Sequence, residues 1–355
     1  MVLSLGISSF IGKTMYDAGE FKNIHSHFDG RCTSVYGLNG PEDITILDNG
    51  IALISADDRW KTLEGIPVQG KIFSYDLNDP LPQLVNMTQD IEFEFHPHGI
   101  STYQNKDGEI RLFAVNHTSN GNTIEAFVFQ DDRLMHLETI SDPLLISPND
   151  LVMLDRDRFY VTNDHGTRTS FGKMSEEYLQ LSLANILFYD GENFHIAMEG
   201  LSYPNGINKS LNGDTIYVSE SIGKTISICS RDSENNTLIL EKEIYLDSGL
   251  DNIELDKKGN LWIGSHPKAL AFLRHAKDPE ELSPSQVIRL SIKGNGDHIS
   301  KEVYMNMGDE LSGSSVASVY NNMLLIGAVF EDHFLLCHLG EYLNIPIIIG
   351  HHPNH

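Results

Sequence analysis

Six segments of this chain repeat one design: one or two polar or acidic residues, then a β-branched residue or leucine, then an alternating apolar run that closes near Gly or Asn. They read GPEDITILDNGIALIS from Gly40, HPHGISTYQNKDGEIRLFAV from His96, SPNDLVMLDRDRFYVTND from Ser147, YPNGINKSLNGDTIYVSES from Tyr203, LDNIELDKKGNLWIGSHP from Leu250 and SGSSVASVYNNMLLIGAV from Ser312. The first apolar residue of each (Ile44, Ile100, Leu151, Ile207, Ile253, Val316) marks steps of 56, 51, 56, 46 and 63 residues. Units of that length, each holding several short strands, close into a ring that leaves no long sheet edge free. The repeat predicts an all-β chain, a six-bladed β-propeller over residues 32–340, with an N-terminal extension at 1–31 and a tail at 341–355.

Equivalent positions of every blade face one central channel. The residues just before the markers are Glu42 and Asp43, His98 and Gly99, Asn149 and Asp150, Asn205 and Gly206, Asp251 and Asn252, and Ser314 and Ser315. Oxygen donors converging from several blades are what a hard cation such as calcium requires. Glu42, Asn149, Asn205, Asp251 and Asn252 supply carboxylates and amides for one ion. Asp43 and Asp150 stand one residue later, so strand alternation turns them away, toward a second ion deeper in the channel. In a single blade such a residue is a turn residue capping its own backbone; the coincidence across blades favours the cation.

With 25 basic and 50 acidic side chains the formal charge is −25, which repels phosphate backbones and argues against nucleic acid. No stretch reaches the roughly eighteen apolar residues of a membrane span. The opening MVLSLGISSFIG lacks a basic leader region, leaving open a remnant anchor, an interfacial segment or a first strand. Cys32 precedes the first repeat and Cys337 ends the last, so a closed ring brings them near each other. Spacing alone leaves a disulfide and three free thiols, Cys229 included, equally open.

Histidines form the second signal. His96 and His98 make an HxH pair, but only His98 stands at the blade marker; it is read as lining the axis and His96 as structural. His117 ends the following strand, AVNH, as a proton partner for His98, while His165 in TNDH and His266 in GSHP end comparable strands of other blades. Two stretches break the strand pattern. Residues 57–70 read as a loop over one end of the ring, and 170–183 carry Met174, Tyr178 and Leu181 at helical spacing. The latter predicts a small helical insert near one rim, starting around Ser175–Glu177, either a lid or a helix packed on the next blade. Trp60, Tyr203 and Tyr178 are candidates to shape a pocket. No nucleophile elbow, Cys–His pair or phosphate-cradling loop is present, so metal-assisted hydrolysis through water is the chemistry these residues can perform.

Taken together, GPED, FHPHGIS, VNH, PNDLV, TNDH, NGIN, LDNI, GSHP and SGSSVASVY resemble the paraoxonase/arylesterase family over nearly the whole span from Cys32 to Cys337. The resemblance implies a six-bladed propeller with two Ca²⁺ ions that hydrolyses small-molecule lactones and aryl esters, with organophosphate triesters as lesser substrates. It implies a catalytic calcium on Glu42, Asn149, Asn205, Asp251 and Asn252, and a structural calcium on Asp43, Asp150 and the carbonyl of Ile100. It also implies a His98–His117 base dyad, cavity histidines His165 and His266, and a Cys32–Cys337 disulfide. That bond favours a periplasmic, membrane-anchored or secreted setting. Two departures stand out: Ser265 replaces the free cysteine of well-known animal members, and the shorter N-terminus puts membrane or lipoprotein association in doubt. The rival readings are a gluconolactonase-like propeller with one divalent ion and a non-catalytic, calcium-stabilised binding propeller.

Overall fold

A computed structural model describes residues 2–340 apart from positions 131, 233 and 295; the C-terminal tail at 341–355, with its GHHPNH run, lies outside the described residues. Six antiparallel sheets form, one per sequence repeat. Their innermost strands are Pro41–Ile46, Pro97–Gln104, Pro148–Met153, Pro204–Lys209, Gly249–Leu255 and Ser314–Tyr320, which carry the six marker residues. The predicted six-bladed propeller is the fold.

Burial follows from the alternation. Both faces of each sheet are covered by neighbouring blades, and the apolar side chains gather in six clusters, one per blade-to-blade interface. Phe113 and Val115 of the second blade, for instance, pack with Leu151, Phe159 and Val161 of the third. Val316 and Phe334 of the sixth pack with Ile44 and Ile54 of the first, which completes the ring.

The N-terminal segment closes the circle. Gly30–Tyr36 pairs antiparallel with His333–Leu339 as the outer strand of the sixth blade, and His27–Phe28 adds a fifth strand to the fifth. The boundary expected at Cys32 therefore falls inside a strand. Cys32 lies directly opposite Cys337 in that register, and the two form a disulfide across 305 residues. Cys229 is free and buried, and burial pushes its thiol up to about 12.

Among the described residues four helices stand outside the sheets. The opening residues form α1, Val2–Asp17, a helix where a strand was one of three expectations. Among the described residues no helix is long and apolar enough to cross a membrane. The other three, α2 (Arg59–Leu63), α3 (Ser170–Leu179) and α4 (Ala269–His275), occupy the same connection, between second and third strands, in the first, third and fifth blades. The expected single insert is thus one of three. Its start also moves: Thr169 caps α3, its side chain accepting from Gly172 N–H, because Ser175–Glu177 already lie inside the helix. Residues 57–70 contain α2 rather than only loop. Pairings such as Pro41 with Ala56, Pro148 with Asn163 and Gly249 with His266 place these helices at the channel end where the innermost strands begin.

Cys32→Ser should lower unfolding free energy in denaturant by about 2–5 kcal/mol relative to the oxidised parent, because the bond closes most of the chain into a loop. Equal stability with and without reductant would show that strand pairing alone holds the ring.

Candidate active site

Every innermost strand breaks register with its neighbour immediately after its first paired residues. The irregularities fall between Pro41 and Asp43, Pro97 and Ile100, Pro148 and Leu151, Pro204 and Ile207, Leu250 and Ile253, and Ser314 and Val316. The residues inside them are Glu42, His98 and Gly99, Asn149 and Asp150, Asn205 and Gly206, Asp251 and Asn252, and Ser315. A β-bulge frees a residue from the ladder and re-aims its side chain. Six bulges at one level thus turn the polar residues of the repeat onto the axis.

Two of the bulges need glycine. A Cβ on Gly99 would lie 2.5 Å from the Cα of Asp150, and one on Gly206 would lie 2.6 Å from the Cα of Asn252. Bare backbone in the second and fourth blades lets the third and fifth close in, while on their other side Asp43 of the first and Asp150 of the third reach across to them. The Asp43 carboxylate accepts from its own neighbour Ile44 N–H at 2.9 Å and from Ile100 N–H of the next blade at 2.7 Å. Asp150 repeats this with Leu151 N–H at 2.7 Å and Ile207 N–H at 2.8 Å.

At the upper level the five candidate donors share one property. Glu42 Oε2, Asn149 Oδ1, Asn205 Oδ1, Asp251 Oδ1 and Asn252 Oδ1 are all buried with no hydrogen-bond partner. In each residue the other polar atom is held. Asn149 Nδ2 donates to Asp164 at 3.3 Å, Asn205 Nδ2 to Ser221 Oγ at 3.3 Å, and Asn252 Nδ2 to Glu42 Oε1 at 2.9 Å. His266 Nε2 meets Asp251 Oδ2 at 2.7 Å, and the His266 ring stacks on Phe272 of α4 at 4.0 Å. Unpartnered buried oxygens cost free energy unless a cation or proton meets them, so this donor set fits a hard, oxygen-liganded divalent ion.

Asp43, Asp150 and Ile100 line a second cavity of about 90 Å³ below, together with Thr45, Ile207 and Glu254. Burial and neighbouring carboxylates push both aspartates well above the usual range, and burial raises Glu254 to about 8. Such crowding of acids favours a cation there too. Glu254 was not among the expected donors; its only trace in sequence is its place one residue after the Ile253 marker (IEL at 253–255).

His98 sits beside the upper set, with Nε2 3.3 Å from Glu42 Oε1, and its Nδ1 lies 2.8 Å from His117 Nε2. His117 Nδ1 lies 2.9 Å from Asn122 Oδ1. Asn122 donates its amide hydrogens to the carbonyls of Leu145 and Ile146 at 3.2 and 3.1 Å, which fixes its oxygen as an acceptor. His117 must then donate from Nδ1 and accept at Nε2. Burial and the adjacent His98 pull His117 down to about 4, so it stays neutral at pH 7. With His117 accepting, His98 donates from Nδ1, and its Nε2 faces the donor set. Asn122 gave no signal in sequence, because its role appears only when a hairpin folds it back onto His117.

Other candidates take different places. His96 bonds Asp57 at 2.8 Å and is structural, as expected. Trp60 stacks on Phe330 at 5.5 Å, with Phe330 in turn 5.9 Å from Phe272, at the far end of the aromatic run that starts on His266. Arg59, overlooked in the sequence, stands 4.0 Å from Glu42 Oε2. Ser265 is fully buried behind His266 with its hydroxyl unpartnered. Tyr203 packs on His165, ring centroids 4.9 Å apart. His165 bonds Asp164 at 2.6 Å and Glu177 of α3 at 3.1 Å. Burial disfavours its charge, but Asp164 and Glu177 outweigh this and raise the imidazole to about 9. Tyr178 is exposed on α3.

A family model described as Arylesterase matches residues 24–339. The chain belongs to the arylesterase family. Among its relatives are mouse (Mus musculus) serum paraoxonase/arylesterase 1 and rabbit (Oryctolagus cuniculus) serum paraoxonase/lactonase 3. Both are 35% identical, and each match covers 84% of this chain and 86% of the relative. Among solved structures, a gluconolactonase from Xanthomonas campestris superimposes with a TM-score of 0.52 at 15% identity, over 88% of this chain and 90% of that one. A luciferin-regenerating enzyme gives 0.54 at 8% identity, over 87% and 95%. These distant neighbours share the propeller fold with this arylesterase-family chain.

A charged His165 ties α3 to the site. Its raised pKa means the contribution is complete below the ordinary histidine value of about 6.5 and is lost as pH rises through about 9. Glu177→Gln should lower the His165 pKa, read from imidazole NMR shifts, and should destabilise the protein more at pH 6 than at pH 10. An unmoved titration would show that Glu177 does not hold the helix.

Proposed function

We propose that this chain is a calcium-dependent hydrolase of lactones and aryl esters, with organophosphate triesters as lesser substrates. The observation that carries the reading is the set of five partnerless buried oxygens on the innermost strands of four blades, beside the His98–His117 pair. The family, whose relatives bear the names arylesterase, paraoxonase and lactonase, supports the substrate class.

Glu42, Asn149, Asn205, Asp251 and Asn252 would hold the catalytic calcium. Bound there, the ion supplies Lewis acidity toward the ester carbonyl and steadies the oxyanion, an effect worth several kcal/mol in comparable sites. The chain's own residues do the rest. His98 Nε2 takes a proton from the water that attacks the carbonyl carbon, and returns it to the leaving alkoxide as the ester C–O bond breaks. His117, locked in one tautomer by Asn122, holds the His98 ring so that Nε2 faces the donor set. His266 keeps Asp251 turned with one oxygen toward the axis. Asp43, Asp150 and the Ile100 carbonyl would hold a second, structural calcium in the lower cavity, which supports two ions over the single ion of a gluconolactonase-like propeller. The disulfide supports an oxidising compartment, whether periplasmic, membrane-anchored or secreted.

Asn149→Ala or Asp251→Ala should abolish calcium-dependent lactone hydrolysis, while His98→Gln should lower turnover without removing calcium. Full turnover in the histidine variant would exclude it as the base. Metal analysis of the dialysed protein should find two calcium ions per chain, and excess chelator should remove both activity and the cooperative melt. One ion per chain would favour the gluconolactonase-like reading, and no activity on any lactone at full calcium occupancy would favour a binding propeller.

A further inference from the structure

A cluster of side chains of metal-ligating types lies apart from the axis, on the short connection between the second and third strands of the sixth blade. Glu331, Asp332 and His333 stand together there, each offering a donor atom within 4.8 Å of the others. His333 Nδ1 is 2.9 Å from Asp332 Oδ1 and 3.9 Å from Glu331 Oε2. Its other nitrogen, Nε2, lies 2.9 Å from the backbone carbonyl of Glu310. A carbonyl only accepts, so Nε2 carries a hydrogen, and Nδ1 is the ring nitrogen turned to the two carboxylates.

An independent feature points at the same place. His275, the last residue of α4, has a side chain only 1% exposed. Its Nδ1 is committed to the carbonyl of Glu281 at 2.7 Å, which leaves Nε2 as the ring nitrogen free to meet another group. That atom is buried without a hydrogen-bond partner and faces Glu331 Oε1 from 3.7 Å. This distance is too long for a proton to bridge. Imidazoles that give one N–H to a backbone carbonyl and aim the other nitrogen at carboxylates have the arrangement of histidines around a metal, where the carbonyl fixes tautomer and ring angle. Around a tetrahedral ion with bonds of about 2.0–2.1 Å, donors stand roughly 3.3 Å apart, close to the spacings within this cluster.

We propose that Glu331, Asp332 and His333 bind one divalent transition-metal ion of the zinc class, with His275 as a further donor on the Glu331 side. Imidazole with carboxylates selects zinc-like ions over calcium, so the site is chemically distinct from the all-oxygen set on the axis. Access comes from solvent past Asp332, whose side chain is 66% exposed, while His333 is 9% exposed. The other anchors are firm: Ser312 N–H donates to Glu331 Oε1 at 3.2 Å, and Tyr36 packs on the His333 ring at 4.9 Å. A bound ion would join the end of α4 to the sixth blade, on the helix whose Phe272 stacks on His266.

The test is a Zn²⁺ titration of the full chain kept saturated with Ca²⁺, read by competition with a chromophoric zinc indicator. The parent should bind one Zn²⁺ equivalent that is weakened at least tenfold in Asp332→Ala and in His333→Gln, with a smaller loss in His275→Gln. Asp332 is exposed, so its alanine variant should keep the parent's thermal melt and calcium-dependent ester hydrolysis, which separates loss of the site from loss of the fold. Zinc held elsewhere, on the C-terminal histidines for example, contributes equally to all forms and cancels in the comparison. Identical Zn²⁺ stoichiometry and affinity in the parent and in Asp332→Ala and His333→Gln would overturn the proposal.

Discussion

Five buried oxygens that no hydrogen reaches, gathered on the axis of a ring, are the constraint on which the structure turns. They come from the innermost strands of four blades: Glu42 from the first, Asn149 from the third, Asn205 from the fourth, Asp251 and Asn252 from the fifth. Left to themselves, such groups repel one another and push blades apart. A divalent ion reverses the sign of that interaction, and chemistry and architecture then rest on the same contact. The neighbours that pin each donor's second atom, Asp164, Ser221, Glu42 and His266, aim its free oxygen in advance of any ion.

The bulge is the device that makes the convergence compatible with a sheet. An unbroken ladder would alternate side chains between faces, and adjacent Asp251 and Asn252 could not both present an oxygen at one level. The slip between Leu250 and Ile253 releases them together. At Asn149 and Asp150 the same slip sends neighbours to different levels, one to the axis cluster and one to the lower cavity. Glycines at 99 and 206 give the room for this, since backbone of the facing blade stands where their Cβ atoms would be. The disulfide and the strand Gly30–Tyr36 then hold the ring shut at the point where chain start meets chain end.

The parts of this design that are written locally were legible in the sequence. Marker residues such as Ile44 and Leu151 recur because each blade needs an apolar residue where its inner strand enters the core, so blade number and the polar positions before them could be counted. Features made when one strand folds against another were not. Asn122 fixes a tautomer only because its hairpin returns it to His117, and Glu254 counts as an acid of the lower cavity only once Asp43 and Asp150 stand beside it. Helix α4 was overlooked because seven residues, ALAFLRH, give little periodicity, and its N-terminal amides are met by Glu20 from a segment 250 residues away. Trp60 was assigned to the pocket from its chemistry alone, and only the fold shows it at the far end of the aromatic run that starts on His266.

The most direct measurement is the position of calcium in a crystal grown with the ion, located by anomalous scattering. The account predicts a peak on the propeller axis with Glu42, Asn149, Asn205, Asp251 and Asn252 oxygens at about 2.3–2.6 Å. A peak elsewhere, with those five oxygens turned to water or to one another, would contradict it.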